Sequence, residues 1–152
     1  MFEAIKKLFG GSSADIDPVC DGAEARECAI ALLVEAALSD GIYADIEQDM
    51  IKNIIRESFA LDEEAAATLL EAAELRAEMA VDHYAFTRVI KAHMPKSERV
   101  ALIGHLWDVS FADGEESPFE DSFIRRVGAL LAVTDFERAE AKKASLGRRQ
   151  DG

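Results

Sequence analysis

The chain is 152 residues long and carries a formal net charge of -13, from 30 acidic and 17 basic residues. This length suits one domain that buries roughly two-thirds of the surface its unfolded chain would expose. The excess of acid argues against nucleic-acid binding, because contacts to phosphate require a surplus of Lys and Arg. Only 3 prolines and 9 glycines interrupt a sequence rich in alanine, leucine and glutamate, so we predict an all-α fold.

Two features of the sequence bear on its compartment. Cys20 and Cys28 are the only cysteines, they form no CxxC pair, and no secretory signal precedes them, which is typical of a reducing cytoplasm. The longest apolar run, at residues 29–38, is about half of the roughly 20 residues that a membrane-spanning helix needs. We therefore predict a soluble, cytoplasmic protein.

The first ten residues, MFEAIKKLFG, place Phe2, Ile5 and Phe9 on one helical face. The GGSSADIDP stretch that follows is typical of a flexible linker. We predict an amphipathic helix and linker at residues 1–22, with the helix dispensable for folding of the rest. Its apolar face suits weak binding to a membrane surface or a partner groove, and it equally suits packing against the domain itself.

A repeat organises the remainder of the chain. Residues 24–66 align without a gap on residues 97–139, at a constant offset of 73 positions and with ten identities. Each copy has an apolar segment, a short turn containing Asp-Gly, and a second amphipathic segment. We predict two related helical hairpins, in which Gly41 and Gly114 end the first helix. The apolar helix of the first copy, predicted at residues 23–39, should lie at the centre.

Two further helices are predicted between the copies, at residues 62–80 and 82–93, each beginning at an aspartate that can cap it. The predicted fold is thus a compact bundle of about six or seven helices. We place the domain at residues 23–146 and interpret residues 147–152 as a tail. The basic side chains near this end are expected to be solvated, on a chain that frays: Lys142, Lys143, Arg148 and Arg149.

The two Asp-Gly turns carry the most specific pattern in the sequence. In DGIYADIE, Asp40 precedes Glu47 by seven positions, and in DGEESPFE, Asp113 precedes Glu120 in the same way. Glycine at position 6 and glutamate at position 12 are also features of an EF-hand calcium loop. The first ligand positions of such a loop would fall in the preceding apolar helix, on side chains that cannot bind calcium. The EF-hand interpretation therefore fails.

The paired acids permit two interpretations. As structural residues, an Asp before Gly favours a turn, and a Glu in the first helical turn caps the helix and interacts favourably with its dipole. As ligands, two carboxylates on one tight turn suit a hard divalent cation, although a firm site needs more than two donors. Further acids surround the same two turns: Asp45, Asp49, Glu115, Glu116 and Asp121.

Two segments, EAALSDGIYADIEQDMI and DVSFADGEESPFEDSFI, carry the Asp-Gly step and the following Glu in the same register. Through them the chain resembles the TerB-like proteins, named for bacterial tellurite resistance. The resemblance covers most of the chain and implies a compact all-helical domain with duplicated acidic helix-turn-helix motifs. It also implies divalent cation binding, with Asp40, Glu47, Asp113 and Glu120 as the metal-site residues. Oxygen donors of this kind favour Ca²⁺ or Mg²⁺ over Zn²⁺.

The function implied by this resemblance is non-catalytic. We expect a cytoplasmic cation-binding domain in a tellurite-resistance or envelope-stress response, which works with other stress-response proteins or at the inner membrane surface. The sequence has no nucleophile beside a base, no phosphate loop and no HExxH motif that would indicate an enzyme. The alternative is a protein-protein interaction module in which the acidic turns serve only as helix caps.

Two further acids occur within the apolar helices. Glu35 and Asp108 occupy equivalent positions in the two copies, and each should lie at an exposed edge or be paired. His105, one turn before Asp108, is a candidate partner. We expect a surface acid or a structural hydrogen bond here rather than a functional site.

Overall fold

A computed structural model of the chain describes residues 22–38, 43–80, 84–112 and 118–151. Within these ranges the chain forms seven helices and no strand, which confirms the all-α prediction. The helices are α1 (Gly22–Leu38), α2 (Asp45–Phe59), α3 (Glu63–Met79), α4 (Tyr84–His93), α5 (Lys96–Ser110), α6 (Pro118–Leu130) and α7 (Asp135–Asp151). The predicted N-terminal helix, its linker and both Asp-Gly steps lie outside the described residues.

The first helix, α1, is the central helix of the bundle, as predicted. Every residue from Cys28 to Val34 is buried, and α1 packs against α2, α3, α4, α5 and α6. A helix that is apolar on all sides has no face to present to water, so it is stable only inside a bundle. Among the described helices, α1 included, none is long and apolar enough to cross a membrane.

Local signals fix where several helices begin. Asp62 caps α3, where its carboxylate accepts a hydrogen bond from the Ala65 N–H at 2.8 Å, as the sequence predicts. Thr134 and Glu137 form a capping box at the start of α7, because each side chain accepts the backbone N–H of the other residue, at 3.1 and 2.9 Å. Pro118 is the first residue of α6, a position where its missing N–H removes no helical hydrogen bond.

The helix boundaries follow the sequence repeat with one shift. The starts of α2 and α6 are 73 residues apart, as in the alignment, but the starts of α3 and α7 are 72 apart. The gapless alignment pairs Asp62 with Asp135, whereas the helix starts pair Asp62 with Thr134. Each copy also gains a third helix, since α3 packs on α1 and α7 packs on α5. Superposition of the two hairpins stays a prediction.

Two alanines end helices in the left-handed conformation. Ala60 follows α2 with φ of 54°, and Ala132 follows α6 with φ of 59°. In both places the N–H of the next residue bonds to the carbonyl five residues back, at 3.2 and 2.9 Å. This is the Schellman pattern, which usually has glycine at the left-handed position. The two hairpins therefore share one helix-ending geometry.

The last helix, α7, includes residues that the sequence predicted to be a tail. It extends to Asp151, so residues 147–151 continue the helix, and the helix packs along α5. The Lys142 ammonium lies 4.6 Å from the centre of the Trp107 ring, and Arg148 bonds to Asp108. The prediction of a frayed, solvated end was wrong for Lys142 and Arg148, which contact α5 in a way that the local sequence does not reveal, whereas Lys143 is exposed as predicted.

Candidate functional site

The first acidic turn leads into α2, and its glutamate is a buried capping residue. Glu47 is 1% exposed, and its Oε1 accepts a hydrogen bond from the Ala44 N–H at 2.9 Å. Ala44 has no side-chain acceptor to offer in return, so only one half of a capping box forms. The Oε2 atom of Glu47 is also buried. A carboxylate at this depth requires compensating donors or cations.

A second carboxylate approaches the same turn from α3. Glu74 Oε2 accepts hydrogen bonds from the Tyr43 hydroxyl at 2.7 Å and from the Gln48 side-chain amide at 2.8 Å. Burial, and then the hydrogen bond to Glu74, raise the pKa of Tyr43 far above its usual value, so the phenol remains a donor. Sequence reasoning missed Glu74 because it lies 31 residues from Tyr43, in a helix outside the motif.

The second acidic turn leads into α6. Glu120 belongs to the first turn of this helix, as predicted, but its side chain lies outside what the structure describes, and so do Asp113 and Asp40. Of the four predicted metal-site residues, only Glu47 therefore has a described side chain. Among the described residues, no three His, Cys, Asp or Glu side chains are grouped as metal ligands would be.

Asp108, on α5, is bonded by three side chains. The Nη2 atom of Arg148 lies 2.9 Å from Oδ1 and 2.8 Å from Oδ2. Ser145 Oγ donates to Oδ1 at 2.5 Å, and His105 Nδ1 lies 3.4 Å from Oδ2. Burial alone would raise the pKa of Asp108, but the bonds from His105, Ser145 and Arg148 together lower it. The carboxylate anchors α7 on α5, so the expected structural hydrogen bond is confirmed.

Glu35, the equivalent acid on α1, lies in a different environment. It is partly exposed, and burial raises the pKa of its carboxyl group. The pKa values of Glu35 and Asp108 thus move in opposite directions, because Asp108 faces a guanidinium and two further donors. Equivalence in the repeat does not make these two acids equivalent in chemistry.

A comparison with protein families shows which family the chain belongs to. Residues 26–143 match the family model described as Tellurite resistance protein TerB, which spans well over half of the chain and both acidic turns. The chain belongs to the TerB family. The resemblance carried by the two Asp-Gly segments is thereby confirmed. No curated protein and no solved structure matches the chain.

The cation binding that the TerB resemblance implies can be compared with the donors present. Carboxylate oxygens are ligands that hard cations prefer, and Glu47 supplies such a group at the start of α2. Its Oε1 accepts the Ala44 N–H at 2.9 Å, so this carboxyl group already has a role at the start of α2. Asp45 and Asp49, which add charge near the first acidic turn, are exposed and therefore solvated. The TerB resemblance implies Asp40 with Glu47, and Asp113 with Glu120, as the residues that would hold a cation.

Proposed function

We propose that this TerB-family chain is a non-catalytic, cytoplasmic domain that binds divalent cations at its two acidic turns and acts in a tellurite-resistance or envelope-stress response. The family membership supports the tellurite-related context. The observation that carries the cation proposal is Glu47, whose carboxylate is 1% exposed at the start of α2, seven residues after Asp40. Burying an ionised carboxylate has a large desolvation cost, and a bound cation would help to offset it together with the donors that Glu47 already has, such as the Ala44 N–H.

The proposed ion is Ca²⁺ or Mg²⁺ rather than Zn²⁺, because carboxylate oxygens are hard donors. The residues proposed to bind it are Asp40 and Glu47 in the first turn, and Asp113 and Glu120 in the second. Affinity should be modest because each turn supplies few protein donors, with backbone carbonyls and water completing the coordination. Other stress-response proteins and the inner membrane surface are the proposed partners; nucleic acid is not, given the net charge of -13.

A second candidate function, a protein-protein interaction module, is supported by a separate observation. Glu47 Oε1 accepts the Ala44 N–H just as Glu137 Oε1 accepts the Thr134 N–H, although no Asp-Gly step precedes Glu137. If capping is the whole role of Glu47, the chain is a protein-protein interaction module whose acidic turns only start helices.

Calorimetric titration of the metal-free protein with Ca²⁺, Mg²⁺, Mn²⁺ and Zn²⁺ separates the two functions. The cation proposal predicts saturable binding of Ca²⁺ or Mg²⁺, and a melting temperature that rises with the concentration of the bound ion. If none of the four ions binds, the cation proposal is wrong and the interaction module remains.

A further inference from the structure

A cavity of about 460 Å³ lies between α1, α2 and α5, toward the end of α1 and α2 that is opposite their connecting acidic turn. Its volume is within the range of small-molecule sites. Its accessible apolar surface comes from the partly exposed Phe59 and Met94 and the exposed Ala101, over a floor of core side chains that are at most 6% exposed: Ala29, Ile30, Leu33, Ile54 and Leu102. The proposed cation sites use none of these residues.

Several polar groups also line this cavity. Ser58 Oγ lies 3.4 Å from His105 Nε2, while His105 Nδ1 lies 3.4 Å from the carboxylate of Asp108. The His105 ring is therefore held from both sides at the cavity wall. A mainly apolar cavity with a few convergent polar groups is the usual composition of a site for a small organic ligand.

Arg26 indicates the charge of that ligand. Its guanidinium lies 4.9 Å from the centre of the Phe59 ring, and both side chains line the cavity. Within the described residues no carboxylate pairs with Arg26, although the chain has 30 acidic residues. Its counterpart in the second copy, Arg99, is used by the fold, because it donates to the carbonyls of Met94 at 3.2 Å and Leu131 at 2.6 Å.

We propose that this cavity binds a small amphipathic anion, consisting of an apolar chain that ends in a carboxylate. The chain would lie over the apolar floor and beside Phe59, Met94 and Ala101, and the carboxylate would pair with Arg26. Glu98, in the first turn of α5, lines the same cavity and would repel an anion. The head group therefore binds on the Arg26 side, where an exposed guanidinium that pairs with no carboxylate of the described residues replaces part of its hydration.

Calorimetric titration with decanoate, kept below its micellar concentration, tests this site. Decanol and decyltrimethylammonium are the matched probes with an uncharged and a cationic head group, and decanoate should bind more tightly than either. Arg26→Gln should weaken decanoate binding about fivefold, as expected for one partly exposed ion pair, and leave decanol binding unchanged. Glu98→Gln should tighten decanoate binding, because it removes the repelling charge.

Arg88→Gln is the control for Arg26→Gln. Arg88 also lies over an aromatic ring, 5.4 Å from the centre of Tyr84, but it does not line this cavity, so decanoate binding should not change. Ala101→Phe places a ring at an exposed position of the cavity wall and should abolish binding without lowering the melting temperature. If that variant is destabilised, Ala101→Leu replaces it, because it puts a smaller apolar side chain at the same exposed position.

Three results would overturn the proposal: no binding of decanoate, equal binding of all three probes, or decanoate binding that Arg26→Gln leaves unchanged. A fourth would do so as well. If decanoate binds only after residues 1–10 are deleted, the cavity is covered by the N-terminal segment of the chain itself and does not serve a small ligand.

Discussion

Arg148 and Asp108 are 40 positions apart in the sequence and meet between α7 and α5, where one guanidinium nitrogen lies within 2.9 Å of both carboxylate oxygens. Asp108 is 12% exposed and Arg148 is 52% exposed, so the contact is a partly screened ion pair at the edge of the core. An interaction of this kind contributes about 1 kcal/mol to the free energy of unfolding. It fixes the C-terminal end of α7 on a helix that packs against the central α1.

The stability of the protein should change with pH because the Asp108 carboxylate becomes protonated at low pH. The pKa of Asp108 is lower in the folded chain than in the unfolded chain, so its ionised form stabilises the fold. This stabilisation is fully present above the unfolded pKa of about 3.9, and it is lost as the pH falls through the folded pKa. Asp108→Asn should therefore lower the melting temperature at pH 7, and its difference from the parent should shrink below about pH 4. Thermal melts from pH 7 to pH 3 measure this. A difference of constant size over that range would contradict the argument.

Glycine at the two left-handed helix ends should stabilise the protein. Ala60 and Ala132 have φ of 54° and 59°, which is strained for a residue with a Cβ. Ala60→Gly and Ala132→Gly should each raise the free energy of unfolding by about 0.5–1 kcal/mol, after allowance for the greater backbone entropy of glycine. The matched control is Ala80, which ends α3 with φ of -72°, where Ala80→Gly should destabilise. Denaturant unfolding that ranks all three variants alike would contradict this account.

Local signals predicted much of the fold. The apolar pattern of α1 required a central position, and Asp62 marked the start of α3, so both could be read from neighbouring residues alone. The contact of Arg148 with Asp108 could not be predicted, because a basic side chain near the end of a chain has the same local pattern whether it is solvated or paired. The left-handed end at Ala60 was equally hidden, since alanine carries no signal for that conformation.

At the candidate site, as in the fold, the local features could be predicted from the sequence and the long-range contacts could not. The spacing from Asp40 placed Glu47 in the first turn of a helix, where the structure has it. Its 1% exposure was not predictable, because burial depends on how other helices pack over the start of α2. The link from Tyr43 to Glu74 was missed for the same reason, since it joins the turn to a helix 31 residues away.

The second acidic turn should form the stronger cation site. Glu115 and Glu116 add negative charge to it, and in the first turn Ile42 and Tyr43 stand at their positions. Asp113→Asn should therefore weaken Ca²⁺ or Mg²⁺ binding more than Asp40→Asn, because affinity rises with the number of anionic donors. Calorimetric titration of both variants, with thermal melts in parallel, measures the difference. Equal affinities would show that the two flanking acids do not contribute to binding.

The central claim, that Glu47 is a cation ligand as well as a helix cap, is tested most directly by comparing Glu47→Gln with Glu137→Gln. Both glutamates accept a backbone N–H at the start of a helix, and glutamine can keep that hydrogen bond, so neither change should disturb the fold much. Glu137 also pairs with Lys96 and follows no Asp-Gly step, so it is the matched control.

The measurement is calorimetric titration with Ca²⁺, with both substitutions made in the Asp113→Asn background so that the first turn dominates the signal. Glu47→Gln should weaken Ca²⁺ binding on the order of tenfold, because one carboxylate donor is lost. Glu137→Gln should leave the Ca²⁺ affinity equal to that of the Asp113→Asn protein. If the Glu47→Gln protein binds Ca²⁺ as tightly as the Glu137→Gln protein, Glu47 is a helix cap alone and the cation proposal fails at the first turn.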